Sequence, residues 1–112
     1  MVFFAIGSSD LSQAAIAILD RQADVLIRYP RIYIDLIGHT DWLVEADSKD
    51  GYIALGYKRS LAVRDYLVKK GIAPERISTN TSDYTAVIPN NLTWEDGLAR
   101  ARFVSTETHD DP

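Results

Sequence analysis

Residues 31–41 read RIYIDLIGHTD, and this stretch decides the fold. Its first seven residues alternate, with Ile32, Ile34 and Leu36 on one side and more polar positions on the other. This two-residue period predicts a strand with one buried face. A glycine-led polar cluster, Gly38 to Asp41, follows at the C-terminal end of the strand, which is the edge at which open α/β sheets bind ligands.

The segment before this strand is predicted to be a helix from Leu11 to about Arg28. Its apolar residues recur at the spacing of one buried helical face. Asp10 with Gln13 resembles a capping box at the start of the helix. Tyr29-Pro30 ends the helix, because a residue that precedes proline is pushed out of the α region.

A second helix is predicted from about Tyr52 to Lys70, and one residue does not fit its apolar stripe. Arg59 lies four residues after Leu55 and four before Val63, so its side chain leaves the helix from the apolar face. One interpretation is that Arg59 lies at the edge of the stripe and snorkels to solvent. The other is that its guanidinium points across the edge of the core toward the end of the strand formed by residues 31–37.

Three further strands complete the predicted fold, at Val2–Ile6, at Glu75 to about Thr81 and at Arg100–Glu107. The resulting order is β-α-β-α-β-β, with two α/β crossovers and an antiparallel return. We therefore expect an α+β fold, an α/β sandwich in which a mixed four-stranded sheet carries both helices on one face. Residues 1–107 are expected to form a single domain, and residues 108–112 a flexible tail.

Composition excludes several classes of function. The 112 residues are enough for one domain. Twelve Lys and Arg against 16 Asp and Glu give a net charge of −4, which provides no basic field for nucleic acid or anionic lipid. The chain has no cysteine, so it has neither disulfides nor thiolate metal sites. The longest apolar run, Ala14–Leu19, is too short for a membrane span, and the first residues lack the basic region of a signal peptide.

Motifs for catalysis and metal binding are absent from the sequence. His39 and Asp41 are two metal-ligand types on one loop, but two ligands do not make a site. No nucleophile elbow, Walker loop or dinucleotide fingerprint occurs. We therefore expect a protein that is not an enzyme, with no catalytic residues, no metal and no cofactor. His109 is interpreted as part of the solvated tail.

The pattern that remains extends over nearly the whole chain. It consists of Tyr29–Asp41, then Leu55, Arg59, Val63 and Tyr66-Leu67, then Lys70-Gly71-Ile72 and Arg76-Ile77-Ser78. This pattern resembles the OmpA C-terminal domain family, which includes Pal lipoproteins and the periplasmic part of MotB stator proteins. The resemblance implies non-covalent binding of peptidoglycan through the diaminopimelate of its stem peptide, which tethers an envelope protein to the cell wall. It also implies a location in the periplasm, associated with the outer membrane in the full-length protein.

The resemblance also implies roles for individual residues. Asp41 would bind the ammonium group of diaminopimelate and Arg59 its carboxylate. Thr40 and His39 would line or brace the pocket, and Arg102 resembles the second arginine of the family's closing motif. The chemistry of the residues agrees with this assignment, because a zwitterionic head needs one fixed anion and one planar bidentate donor close together.

Several positions depart from the family pattern and motivate an alternative function. Ala5 stands where many members have Asp, and Tyr52 where the second helix usually has Asn. The loop at residues 42–51 is a few residues longer than usual. Tyr52, with Trp42 and Tyr57, can stack on sugar rings or simply cover this loop. The alternative is a divergent domain whose degenerated pocket no longer binds ligand and which assembles with other proteins, or with itself, in an envelope or secretion complex.

Overall fold

The computed structural model describes residues 2–5, 7–40, 49–81 and 103–110. Within these ranges the secondary structure follows the predicted order β-α-β-α-β-β. The elements are β1 (Val2–Phe3), α1 (Gln13–Arg28), β2 (Ile32–Gly38), α2 (Lys49–Lys69), a 3₁₀ turn (Pro74–Arg76), β3 (Ile77–Thr81) and β4 (Phe103–Asp110). Neither helix in this part of the chain combines the length and apolarity needed to cross a membrane.

The four strands form one mixed sheet in the order β1-β4-β2-β3. β2 and β3 are parallel, whereas β4 runs antiparallel to both of its neighbours, β1 and β2. Gly38, the last residue of β2, is paired with Thr81 on one side and with Val104 on the other. The C-terminal end of β2 therefore lies between the C-terminal end of β3 and the N-terminal end of β4.

A single apolar core lies between the two helices and one face of the sheet. In β2, Ile34 and Leu36 are buried, while Tyr33 and Asp35 alternate with them and face away from the helices. Because α1 and α2 both contribute to this core, both pack on the same face, as predicted. The core contains Val2, Phe4, Ala15, Leu19, Ala23, Leu26, Ile34, Leu36, Val63, Leu67, Ile72, Ile77 and Val104.

The first helix begins later than the sequence predicted. Its N-cap is Ser12, whose Oγ accepts a hydrogen bond from the backbone N–H of Ala15 at 3.1 Å. The predicted capping box of Asp10 with Gln13 is therefore wrong. The serine hydroxyl three residues before Ala15 has the geometry that satisfies a first-turn N–H, and Asp10 instead donates its own backbone N–H to Ser8 Oγ. The helix ends at Arg28 with Tyr29 as its C-cap, as predicted.

The last strand extends further than predicted, to Asp110, and it begins at Phe103. The prediction of a flexible tail is thus wrong for residues 108–110. His109 lies opposite Tyr33 in the β2–β4 register, and its Nε2 is 3.2 Å from the carboxylate of Asp35. These partners lie more than 70 residues away in the chain, so the local polar pattern could not reveal them.

Other element boundaries also differ from the prediction. β1 ends at Phe3, whereas the strand was predicted to continue to Ile6. α2 begins at Lys49, three residues before Tyr52. β3 begins at Ile77, since Pro74–Arg76 forms a 3₁₀ turn first. The side chain of Arg76 explains this turn, because its Nε and Nη2 donate to the carbonyl of Ile32 and Nη2 also donates to that of Leu26. Arg76 thereby ties the end of α1 to the beginning of β2.

Candidate functional site

Arg59 is completely buried at the C-terminal end of β2, with 0% of its surface exposed. Its guanidinium donates hydrogen bonds to three backbone carbonyls: Nε to Ser8 at 2.9 Å, Nη1 to His39 at 2.9 Å and Nη2 to Ala5 at 3.1 Å. The interpretation that Arg59 snorkels to solvent is therefore wrong. The other interpretation is confirmed, because the guanidinium reaches the residue that follows β2.

Close contact between two glycines determines where Arg59 can reach. A Cβ on Gly38 would overlap the carbonyl oxygen of Gly56 and lie 2.5 Å from its carbonyl carbon. A Cβ on Gly56 would lie 2.9 Å from the carbonyl oxygen of Gly38. Thr81 Oγ1 strengthens this contact by donating to the carbonyls of Gly38 and Ile53. The backbones of α2 and β2 touch here, which brings Arg59 to the end of the strand.

The turn after β1 supplies the other two carbonyls that hold Arg59. Gly7 has φ +70°, a left-handed conformation that favours glycine, and Ser8 N–H donates to the Ala5 carbonyl at 3.0 Å. The ring of Phe4 lies 5.4 Å from the guanidinium carbon, within cation–π range. Sequence reasoning missed the contributions of Ala5 and Ser8, because backbone carbonyls leave no side-chain motif. The Gly7-Ser8 turn after the first strand was the available signal.

His39 belongs to the same region and is held by the neighbouring strand. Its Nε2 lies 3.2 Å from Ser105 Oγ, which in turn is within 3.5 Å of the Ile37 carbonyl. Burial lowers the pKa of His39 below its ordinary value. The imidazole is therefore neutral at neutral pH, next to the permanently charged Arg59.

The structure brings three of the predicted site residues together. Arg59, His39 and Thr40 lie at the C-terminal end of β2, and Thr40 is half-buried. The other three were Asp41, Arg102 and Tyr52. Asp41 and Arg102 lie outside the described residues, as does the side chain of Tyr52, whose backbone is part of α2.

A second cluster of polar and titratable side chains, Asp35, Ser78 and His109, lies on the face of the sheet opposite the helices. Ser78 Oγ donates to Asp35 Oδ1 at 2.5 Å, and His109 lies 3.2 Å from Asp35 Oδ2. The hydrogen bond from Ser78 lowers the pKa of Asp35. This is not a catalytic triad, because the carboxylate lies between serine and histidine, and His109 contacts Asp35 and not the Ser78 hydroxyl. Within the described ranges, no three His, Cys, Asp or Glu side chains are placed to hold a metal ion.

Peptidoglycan-associated lipoproteins of other bacteria are similar to this chain in sequence. The chain is 40% identical over 78 residues to the peptidoglycan-associated lipoprotein of Rhizobium meliloti, a match that covers 70% of this chain and 43% of the relative. It is 36% identical to the peptidoglycan-associated lipoprotein of Brucella melitensis, covering 70% of this chain and 45% of the relative. The match therefore spans less than half of the length of each of these relatives.

Solved structures share the fold. The peptidoglycan-associated lipoprotein from Burkholderia pseudomallei superposes with a TM-score of 0.83 at 24% identity, covering 96% of this chain and 88% of that one. The C-terminal domain of Helicobacter pylori MotB gives 0.78 at 22% identity, covering 98% and 83%. The sequence model of the OmpA family matches residues 3–104. The chain therefore belongs to the OmpA family and, as its sequence predicted, is not an enzyme.

Proposed function

We propose that this domain binds peptidoglycan non-covalently and tethers an envelope protein to the cell wall in the periplasm. In this proposal Asp41 binds the ammonium group of diaminopimelate in the stem peptide, and Arg59 binds its carboxylate. His39 and Thr40 brace the pocket, with Arg102 and Tyr52 at its margin. In the full-length protein the domain would be associated with the outer membrane.

The placement of Arg59 is the observation that carries this proposal. The positive charge of Arg59 is held without solvent exposure at the end of β2, on the carbonyl of His39, two residues before Asp41 in the chain. Burying a charge is costly, and the three backbone carbonyls that accept from the guanidinium compensate for this cost. A carboxylate ligand fits this position because a guanidinium can bind it with two parallel hydrogen bonds.

Family membership and the relatives support peptidoglycan as the ligand. The relatives are named peptidoglycan-associated lipoproteins, and the fold is that of their solved counterpart. Three guanidinium N–H groups already donate to the carbonyls of Ala5, Ser8 and His39. Because Arg59 is fully buried, contact with a ligand requires a local rearrangement around the guanidinium, and binding should change the environment of these three residues.

Sedimentation with isolated sacculi tests the proposal. Wild-type protein is expected to pellet with sacculi that contain diaminopimelate, whereas Asp41→Asn and Arg59→Lys are expected to remain in the supernatant. Both changes keep size and polarity, so folding can be verified by circular dichroism before the assay. Asp65→Asn and Arg64→Lys are matched controls, because these side chains form a solvent-exposed pair on α2. If both site variants pellet like wild type, Asp41 and Arg59 do not bind the diaminopimelate head.

Competition distinguishes diaminopimelate from other parts of the cell wall. Free meso-diaminopimelate is expected to release the domain from sacculi, whereas cadaverine (pentane-1,5-diamine) at the same concentration is not, because it has no carboxylate for Arg59 to bind. Release by both compounds, or by neither, would contradict recognition of diaminopimelate. Binding to the cell wall is judged separately, from the sedimentation assay.

The complete burial of Arg59 also favours a second candidate function. With its charge directed at three main-chain carbonyls, Arg59 can serve the fold alone, as expected of a degenerated pocket in a protein–protein assembly module. Titration with millimolar diaminopimelate, followed by ¹H–¹⁵N NMR, separates the two functions. Shifts centred on Gly38–Asp41 and α2 around Arg59, with Ala5 and Ser8, favour ligand binding. Absence of shifts, together with self-association in light scattering, favours assembly.

A further inference from the structure

His39, the first residue after β2, is held from both sides of the sheet. The ladder pairs of β2 end at Gly38. From the helix side, Arg59 Nη1 donates to the carbonyl of His39 at 2.9 Å. On the outer face, which is the face of the sheet opposite the helices, the imidazole Nε2 lies 3.2 Å from Ser105 Oγ. The segment that leads to Asp41 therefore starts from a residue with a fixed contact on each side.

Ser105 reaches His39 because side chains alternate along β4. Val104 is completely buried in the core, so the next side chain points to the outer face. Ser105 is paired with Ile37 in the β2–β4 ladder, two residues before His39. Both Ser105 and His39 are half-buried. Water therefore competes only in part with the hydrogen bond between them.

The single proton of the Ser105 hydroxyl determines how the imidazole is held. It is directed at the carbonyl of Ile37, 3.5 Å away, and Oγ is then left to accept a hydrogen bond from His39 Nε2–H. Because the pKa of His39 is lowered by burial, the ring is neutral at neutral pH and carries its one proton on Nε2. Ser105 thus selects both the orientation and the tautomer of the imidazole.

The contacts of Arg59 explain why a second hold on His39 matters for binding. Three N–H groups of the guanidinium donate to backbone carbonyls, one of which belongs to His39. When the guanidinium turns to bind a carboxylate with two parallel hydrogen bonds, these contacts loosen. At that moment Asp41, two residues after His39, has to be in place. Ser105 can hold His39 throughout, since its contact is with the imidazole and not with the carbonyl.

We propose that Ser105 is a positioning residue of the peptidoglycan site, whose hydroxyl fixes His39 and thereby the direction in which the chain leaves β2 toward Thr40 and Asp41. This inference rests on the proposed function. Ser105 itself does not touch the ligand and acts through His39. Its effect is therefore expected on binding more than on stability, because a binding group displaced by about 1 Å already loses much of its contact.

Threonine and valine at position 105 test the hydroxyl directly. Both side chains are β-branched and suit a strand, and they differ only by a hydroxyl in place of a methyl group. Ser105→Thr is expected to bind sacculi like wild type, whereas Ser105→Val should bind about tenfold more weakly. Urea unfolding should give similar stabilities for the two variants. Ser78→Ala is the control, because it removes a hydroxyl from β3 that donates to Asp35, and it should leave binding unchanged.

The imidazole of His39 reports on the same contact in the absence of any ligand. Long-range ¹H–¹⁵N correlation spectra distinguish protonated from unprotonated ring nitrogens. Wild type and Ser105→Thr are expected to show His39 in the Nε2–H tautomer, and Ser105→Val a mixture of both tautomers. His109, the other histidine of the chain, is an internal control whose ring signals should be the same in all three proteins.

A double-mutant cycle with His39→Ala tests whether Ser105 acts through the imidazole. In the His39→Ala background, Ser105→Thr and Ser105→Val should differ in sacculus binding by less than about twofold, because the group that the hydroxyl positions is gone. Folding of each variant is verified by circular dichroism before the assay.

Three results would overturn the proposal. The first is that Ser105→Thr and Ser105→Val pellet equally with sacculi that wild type binds. The second is that the ring signals of His39 are the same in both variants. The third is that the two variants differ as much without the imidazole as with it, since the hydroxyl would then act on another group. Each of these leaves peptidoglycan binding intact, whereas a wild type that does not pellet would overturn the proposed function and this inference with it.

Discussion

Arg59 illustrates how much a single residue can reveal at the level of sequence. An arginine on an apolar helical stripe has to be either exposed at its edge or held by acceptors, and the structure shows the second arrangement. Sequence spacing identified the residue and the helix face that its side chain leaves from, but it left open whether the guanidinium reaches solvent or the end of β2. It could not identify Ala5 and Ser8 as acceptors, because they lie more than 50 residues away and contribute only backbone oxygens.

The contacts of Arg59 predict a large effect on stability. Arg59→Ala removes the donors of three carbonyl oxygens and leaves a cavity, so we expect the free energy of unfolding to fall by about 3 kcal/mol or more. Arg59→Lys keeps the charge and one donor position and should cost less. Urea unfolding monitored by circular dichroism measures both.

The control for this experiment is Arg64→Ala on the same helix. Its side chain is 33% exposed and forms an ion pair with the more exposed Asp65, so its loss should change stability by less than about 0.5 kcal/mol. If Arg59→Ala costs no more than Arg64→Ala, the three carbonyls do not depend on the guanidinium.

At the scale of elements, the sequence predicted the strand and the helix that carry the site but not how they meet. The alternation of residues 31–37 and the stripe around Arg59 correspond to β2 and α2. Gly56, within α2, has no side chain from which this contact could be predicted. The structure gives it a physical role, since its backbone touches Gly38 where a side chain would collide.

This glycine contact predicts that even one methyl group will separate α2 from β2. Gly38→Ala places a Cβ against the backbone of Gly56, and neither group is a flexible side chain that can move aside. We expect a loss of about 2–3 kcal/mol in stability, measured by urea unfolding. Sacculus binding should fall as well in folded protein, because Arg59 is positioned by the same contact.

The matched control is a glycine on α2 that is solvent-exposed. Gly51→Ala adds the same methyl group to the helix and should be neutral or stabilising by up to about 1 kcal/mol, because alanine favours helix over glycine. Equal effects of Gly38→Ala and Gly51→Ala would mean that the close approach of the two backbones does not limit the fold.

The ends of elements were predicted less well, and β4 shows why. Residues 108–110 have a polar local pattern that is typical of a frayed terminus. Their strand structure depends on pairing with residues 32–34 and on the contact of His109 with Tyr33 and Asp35. This information lies in the tertiary structure. Among residues 104–110, whose burial the structure describes, Val104 is the one buried residue, and a single buried residue gives little periodic signal.

Across the whole molecule, each end of β2 is held by an arginine that binds main-chain carbonyls. Arg59 does this at the C-terminal end, and Arg76 at the N-terminal end through the carbonyls of Ile32, Leu26 and Tyr29.

The two histidines of the chain also lie toward opposite ends of the sheet, and their pKa shifts have opposite signs. Burial lowers the pKa of His39. The Asp110 carbonyl, and after it the Asp35 carboxylate, raise the pKa of His109. His39 therefore contributes stability above its ordinary pKa of about 6.5, which is lost as pH falls through its lowered value. The contribution of His109 is complete below about 6.5 and is lost as pH rises through its raised value.

Single variants should separate these opposing contributions. In His109→Asn only His39 remains, so the free energy of unfolding should increase between about pH 5 and about pH 8. In His39→Asn only His109 remains, and stability should decrease over the same range. Wild type should vary less than either, because the two trends oppose each other and carboxylates titrate at lower pH. Urea unfolding at several pH values measures this, and equal slopes in the two variants would contradict the assignment, since a common slope cannot arise from histidines of opposite shift.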